Sequence, residues 1–260
     1  MSQGTALVTG ASSGIGAEFA RQLAAEGMDQ VLVARRADRL ATLGDELTKK
    51  FSVRCHTIAS DLSQPEAAQR IFAETESKGL KIDWLVNNAG FGTNGEFATL
   101  PLEREMEEIH LNIGALVTLA RLYLPGMLER KRGRIVNLGS VGSFVPTPYM
   151  ATYSATKAFI LSFSEAIAAE VAGKGVGVLA LCPGATKTEF QEVAGVSESV
   201  PEFSFMSAQA VVRQAIAAAK SGKHTLVPGW MNKVMIGSTR LTPRSVMARI
   251  AGSMFAPKSP

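Results

Sequence analysis

Cysteine is scarce in this 260-residue chain, which has only Cys55 and Cys182, each inside an apolar run. That excludes a disulfide framework, and neither has metal-ligand spacing. A reducing compartment is expected, with each cysteine a small buried strand residue. Long hydrophobic runs are missing too. No stretch reaches the ~18 apolar residues of a membrane span. Ala6-Leu7-Val8, behind a polar Met1 to Thr5, is too short for a secretory core. A soluble, cytoplasmic protein is expected. With 46% hydrophobic and 19% charged residues, the composition excludes a disordered chain. Acidic residues are absent from 203–260, where eight Lys or Arg stand, although the net charge is only +4. Such an end can attract anionic lipid, nucleic acid or an acidic ligand. A solvated basic face is the simpler reading. No nucleic-acid partner is expected, and membrane-surface contact by the tail is the lesser alternative.

What is present is alternation. Short Val/Ile/Leu-rich runs at Thr5–Val8, Gln30–Val33, Val53–Ile58, Ile82–Val86, Arg134–Leu138 and Gly177–Leu181 read as strands buried on both faces. Amphipathic runs at Ile15–Glu26, Arg36–Lys49, Pro65–Ser77, Leu102–Arg130, Ala151–Ala172 and Ala208–Ser221 read as helices between and after them. This order predicts one α/β domain over 1–260: a doubly wound parallel sheet with helices on both faces. Ser63 before Gln64-Pro65-Glu66 predicts an N-cap with proline in the first turn, and Ser207 a weaker cap. Residues 190–206, irregular and holding three Phe, read as a lid. Residues 228–260 form a Met-rich basic extension whose role the pattern does not fix.

The first strand runs into Thr9-Gly10-Ala11-Ser12-Ser13-Gly14-Ile15-Gly16 before a helix. Glycines permit close backbone approach, and a helix N-terminus offers unpaired N–H groups to a phosphate. The spacing is Gly-x₃-Gly-x-Gly rather than Gly-x-Gly-x-x-Gly. The second strand ends Val33-Ala34-Arg35-Arg36, with Arg39 one turn on. An acid there would bond a ribose 2′-hydroxyl, whereas Arg accommodates a 2′-phosphate, so NADP(H) is expected over NAD(H). Tyr153 and Lys157 are four apart near a helix start, on one face. A nearby ammonium favours the phenolate, giving a phenol that exchanges protons.

Taken in order, Thr9-Gly10-Ala11-Ser12-Ser13-Gly14-Ile15-Gly16, Asp61-Leu62, Asn87-Asn88-Ala89-Gly90, Asn112, Ser140, Tyr153 with Lys157, and Pro183-Gly184-Ala185-Thr186-Lys187-Thr188 resemble the short-chain dehydrogenase/reductase family, over roughly 4–190. The resemblance implies a Rossmann-type sheet and a hydride transfer between NADP(H) and a carbonyl or alcohol. It makes Tyr153 the general acid or base, Lys157 its tuner and a ribose ligand, and Ser140 the holder of the substrate oxygen. Asn112 would support a water in a proton relay. The dinucleotide would lie on Gly10, Ser12, Ser13, Gly14, Ile15, Gly16, Arg35, Arg36, Asp61, Leu62, Asn88, Ala89, Gly90, Tyr153, Lys157, Pro183, Gly184, Thr186 and Thr188. Asp61 and Leu62 would contact adenine, and Pro183, Gly184 and Thr188 the nicotinamide end. A homodimer or homotetramer through the helices at 102–130 and 151–172 is implied.

Plainer roles stand beside these: Ser140 capping a loop, Asn112 breaking a long helix, Asp61 making an Asx-turn, and His110 structural. No metal is expected. The stretch Gly142–Met150, with Phe91, Phe190, Phe203, Phe205 and Met206, reads as an apolar pocket wall without an anion clamp, which suits a lipophilic carbonyl or alcohol. A redox sensor that binds NADP(H) without turnover is the alternative.

Overall fold

The structure, a computed structural model, describes residues 3–196, 205–239 and 241–256. Its strands are β1 (Thr5–Thr9), β2 (Asp29–Ala34), β3 (Cys55–Ala59), β4 (Ile82–Asn87), β5 (Gly133–Leu138), β6 (Val176–Leu181) and β7 (Thr225–Leu226). They form one sheet in the order β3-β2-β1-β4-β5-β6-β7, every pairing parallel. The helices are α1 (Gly14–Ala25), α2 (Ala37–Phe51), α3 (Ala67–Ser77), α4 (Leu102–Ile109), α5 (Leu116–Glu129), α6 (Ala151–Glu170), α7 (Phe190–Val193), α8 (Ala208–Lys220), α9 (Trp230–Thr239) and α10 (Arg244–Phe255).

The pleat sends successive strand residues to opposite faces. Ala6 and Val8 join Phe19, Leu23, Leu40 and Val211 under α1, α2 and α8. Leu7, Val31 and Val33 join Ile71, Leu119, Tyr123 and Met127 under α3 and α5. Each large side chain removed from water in these layers contributes ~1.5–3 kcal/mol. Tyr123 keeps its hydroxyl satisfied by Thr75 at 2.7 Å. The stretch Leu102–Glu129 is long and apolar enough to cross a membrane. Here its second half lies on the sheet through Leu119, Tyr123 and Met127, as a core helix does.

Several boundaries differ from the expectation. The long helix expected over 102–130 is present over Leu102–Glu129, with a π-helical turn inside it at His110–Ala115. Asn112 there turns inward and gives its side chain to Phe91 and Thr156 instead of to solvent. The third helix begins at Ala67, not Pro65, because Glu66 has a left-handed φ of 61°. Ser63 is not the cap: Glu66 holds the N-cap position, and the Ser63 hydroxyl donates to the Asp61 carboxylate at 2.8 Å. Ser207 does cap α8, accepting from Ala210 N. β7 has two residues, too few to show periodicity, and the tail folds into α9 and α10. Of the lid region, 190–193 form α7, and 197–204, including Phe203, lie outside the described residues.

β1 lies between β2 and β4, so the chain direction across the sheet reverses there. A crevice opens at the carboxyl ends of strands at such a reversal. The segments after β1, β4, β5 and β6 carry Gly10, Asn88, Ser140 and Pro183 respectively, which gathers them at this edge.

Candidate active site

The glycine turn is built for contact with backbone. Gly10 has φ +65° and Gly14 φ +54°, values that L side chains rarely adopt. A Cβ on Gly16 would collide with the Gly10 carbonyl oxygen and lie 2.5 Å from Asn88 Nδ2. Ser13 stands at the N-cap of α1 in extended conformation with no side-chain cap, which leaves first-turn N–H groups facing the crevice. Thr9 and Asn88 hold the turn against β4. Thr9 Oγ1 accepts from the N–H groups of Asn88 and Ala89, both at 2.9 Å, and Asn88 Nδ2 donates to Thr9 O at 2.8 Å.

The two arginines at the end of β2 part company. Arg36 donates to Ser12 Oγ at 3.1 Å and to Ser13 Oγ at 3.0 Å, placing its guanidinium beside the glycine turn. Arg35 is exposed, and among the described residues its side chain makes no hydrogen bond to that turn. Nothing in the spacing ranks one above the other. Arg36 also pairs with Glu189 at 2.9 Å, and Arg39 meets the same carboxylate at 2.5 Å. Arg39 first and then Arg36 hold the Glu189 carboxyl below its ordinary value. The donor set therefore suits a dinucleotide carrying an additional phosphate: a glycine cradle without Cβ atoms, a helix N-terminus, and guanidinium groups already gripping an anion. Asp61 keeps one oxygen on Ser63 N and Oγ, the Asx-turn geometry, and Leu62 is buried.

At the other end Tyr153, Lys157, Ser140 and Asn112 converge. Ser140 accepts from Gly142 N at 3.1 Å, capping a 3₁₀ turn, and stands near the Tyr153 phenol, where its hydroxyl favours the ionised form. The plainer role, capping, is the one this geometry shows. Lys157 is 4% exposed; its Nζ donates to Leu138 O at 2.8 Å and lies 5.6 Å from the Tyr153 ring centre. Burial pushes the phenol up to about 12 against the opposing influence of Ser140, and pulls Lys157 down to about 8. The expected acidification by the ammonium does not appear: burial dominates, and the influence that lowers the phenol comes from Ser140. Both Nδ2 hydrogens of Asn112 are spent on Phe91 O and Thr156 Oγ1, at 3.0 and 3.1 Å. A water on Asn112 has to use Oδ1 or the main chain.

Thr188 closes the groove from above: a Cβ on Gly14 would lie 2.9 Å from its Cγ2. Val141 N donates to Pro183 O at 3.0 Å, and Gly184 lies against Asn232 of α9. Thr186 is buried, and its hydroxyl donates to Gly184 O. The pocket side is apolar. Phe190 lies 5.3 Å from the Tyr153 ring, and Met150, Val196 and Phe255 complete the cluster. Asn94 Nδ2 ties the end of α10 down through Phe255 O at 3.0 Å. Phe91 is buried with Arg104 over its ring, and Met206 bridges to Thr186. His110 is exposed near Leu62–Gln69, away from the phenol.

Three features of the site escape the sequence pattern. Gly92 makes room for the phenol, since a Cβ there would stand 2.8 Å from Tyr153 Cδ2. Glu189 bridges the arginines. Glu105 and Glu108 are buried behind Tyr153, at 5% and 0% exposure, while Leu102 and Met106 of the same helix face out. That inverted polarity is what hides them.

The short chain dehydrogenase family profile matches residues 4–198. The very-long-chain 3-oxoacyl-CoA reductase of Rattus norvegicus is 34% identical over 237 residues, covering 90% of this chain and 73% of the relative. That of Aspergillus clavatus is 38% identical over 175 residues, covering 66% of this chain; the match spans about half (51%) of that relative's length. A short-chain dehydrogenase from Sphingobium yanoikuyae, solved in complex with NADPH, superposes with a TM-score of 0.82 at 34% identity, covering 91% of this chain and 94% of that one.

Proposed function

The chain belongs to the short-chain dehydrogenase/reductase family, and from that premise we propose that it is an NADP(H)-dependent reductase of lipophilic carbonyl compounds. The observation that carries this reading is the Tyr153 phenol brought together with Ser140 and Lys157 beside an apolar cluster, at the far end of a groove from Arg36. Ser140 holds the carbonyl oxygen. Tyr153 donates its proton to that oxygen as negative charge develops on it. Lys157, inside the site, holds positive charge near the phenol and the ribose. Asn112 fixes Phe91 against α6, which keeps the floor of the pocket in place. The dinucleotide, when bound, supplies the hydride. A phenol at about 12 retains its proton near neutrality, which suits carbonyl reduction.

The named relatives make 3-oxoacyl thioesters the first substrates to try, followed by apolar ketones. The packing of Phe255 beside Met150 and Tyr153 supports a role for the tail as pocket wall. Self-association through α4 and α6 is favoured by the outward Leu102, Met106 and Phe159, the last stacked on Phe163 at 5.6 Å. A cytoplasmic location is kept as the reading. The relatives are reductases, which lends no support to a sensor without turnover.

Consumption of NADPH with a carbonyl panel tests the activity. Tyr153→Phe should lower kcat by ~10²–10⁴-fold, the usual worth of a general acid, with NADPH binding retained. Turnover within about tenfold of the wild type would overturn the assignment.

A further inference from the structure

The buried pair Glu105 and Glu108 has no part in the scheme above. Both carboxylates reach Thr93: its hydroxyl lies 2.6 Å from Glu105 Oε1 and 2.9 Å from Glu108 Oε2, and its N–H donates to Glu108 Oε2 at 3.0 Å. Glu105 also accepts the Thr152 hydroxyl through Oε2. Glu108 Oε1 is buried and has no partner among the described residues.

One placement of protons accommodates both hydroxyl contacts. Thr93 has one hydroxyl hydrogen and faces two carboxyl groups, so it donates to only one of them. The shorter contact is to Glu105, which the Thr152 hydroxyl already marks as an acceptor. The contact to Glu108 then needs its hydrogen from the carboxyl itself, with Glu108 donating to Thr93 Oγ1. Two ionised carboxylates sharing a buried hydroxyl would also repel each other at a site with little water to screen them. The bare Oε1 fits as the carbonyl oxygen of an acid, whereas an unpaired buried carboxylate oxygen costs far more.

The pair also grips both sides of the phenol. Thr152 directly precedes Tyr153, and Thr93 directly follows Gly92, against which the Tyr153 ring lies. We propose that Glu105 and Glu108, holding one shared proton through Thr93, are positioning residues that fix Tyr153 and set the pH range over which its phenol gives up a proton.

The charged and titratable groups around Glu108 are Glu105 on its own helix and Lys157 and Tyr153 on α6, with Cys182 beyond them. Arg104, four residues before Glu108, lies over the Phe91 ring and pairs with Glu107 at 2.9 Å. Burial, with Glu105 adding to it, pushes Glu108 up to about 7, so the shared proton is lost near neutrality. Once it is gone, a second negative charge stands behind Tyr153. It raises the proton affinity of the phenol and strengthens the charge on Lys157, and the phenol becomes a poorer donor for carbonyl reduction.

The kinetic part rests on the reading of Tyr153 as proton donor; the shared proton does not. Infrared spectroscopy of the full chain should show a protonated carboxylic acid band below neutral pH that fades above it, and E108Q should lack it. In wild type, kcat/KM for carbonyl reduction should fall through a step near neutrality. E108Q, which keeps the acid's shape but cannot ionise, should stay active and lose the step. E105Q removes the repelling charge and should move the step to lower pH. A wild type without the band, or E108Q with the step intact, overturns the proposal. An active Tyr153→Phe overturns the catalytic reading and the coupling with it, while the band still reports on the shared proton.

Discussion

Glu108 should make the fold lose stability as pH rises across the mildly acidic range. Its carboxyl is fully buried and stands at about 7, against an ordinary value of 4.5, chiefly because burial penalises its charge. The native state therefore holds a proton that the unfolded chain has already released between those two values. Stability falls with pH wherever the native state binds more protons than the unfolded one. A tenfold difference in proton affinity between the two states is worth about 1.4 kcal/mol, so the loss across the window is on the order of 3 kcal/mol. Other perturbed groups act elsewhere. Glu46 beside Arg21, and Glu189 beside Arg39 and Arg36, are held below 4.5, so their contribution disappears only in stronger acid. Lys157, pulled down to about 8 by burial, adds stability with rising pH only above that value. Urea denaturation at several pH values from about 5 to about 8 measures the slope directly, with m held in view to confirm two-state behaviour. E108Q should flatten the curve and overtake wild type at the alkaline end. Parallel curves for the two proteins would refute the assignment of a raised carboxyl to Glu108.

Arg36→Ala should weaken NADPH binding by ~10-fold or more relative to NADH, a charge-assisted bond's worth, while Arg35→Ala should leave the ratio within ~2-fold. Fluorescence titration of both dinucleotides separates the two. Glu189→Gln should tighten NADPH binding severalfold and leave NADH unchanged, because the carboxylate competes for the guanidinium groups a 2′-phosphate would use; equal effects on both would contradict that competition. Gly16→Ala forces a methyl into the Gly10 carbonyl and should cost ~1–3 kcal/mol and cofactor binding. Gly114→Ala meets open space and should stay within ~1 kcal/mol of neutral in the same denaturation assay.

The sheet was legible because Ala6-Leu7-Val8 and Val31-Leu32-Val33 are apolar without a break, as strands covered on both faces must be. The glycine turn and the Tyr153–Lys157 pair were legible because their spacing carries the chemistry. The π-helical turn was not, since its cause is tertiary: Asn112 bonding to Phe91 and Thr156. Nor could spacing separate Arg35 from Arg36, which differ only in which way the chain turns after β2. The inward Glu105 and Glu108 went unread for a related reason. Their helix exposes Leu102 and Met106, and a pattern rule assigns the acids to water.

Glu189 and Phe190 are neighbours in the chain with opposite tasks. The first is held by Arg36 and Arg39 at the phosphate end, and the second lies on Tyr153 at the reacting end. A dinucleotide phosphate that takes over those arginines would release Glu189, and a shift there would reach Phe190 across a single peptide bond. Binding should consequently be sequential, with the dinucleotide leading and the carbonyl following, and product-inhibition patterns should show a compulsory order rather than a random one.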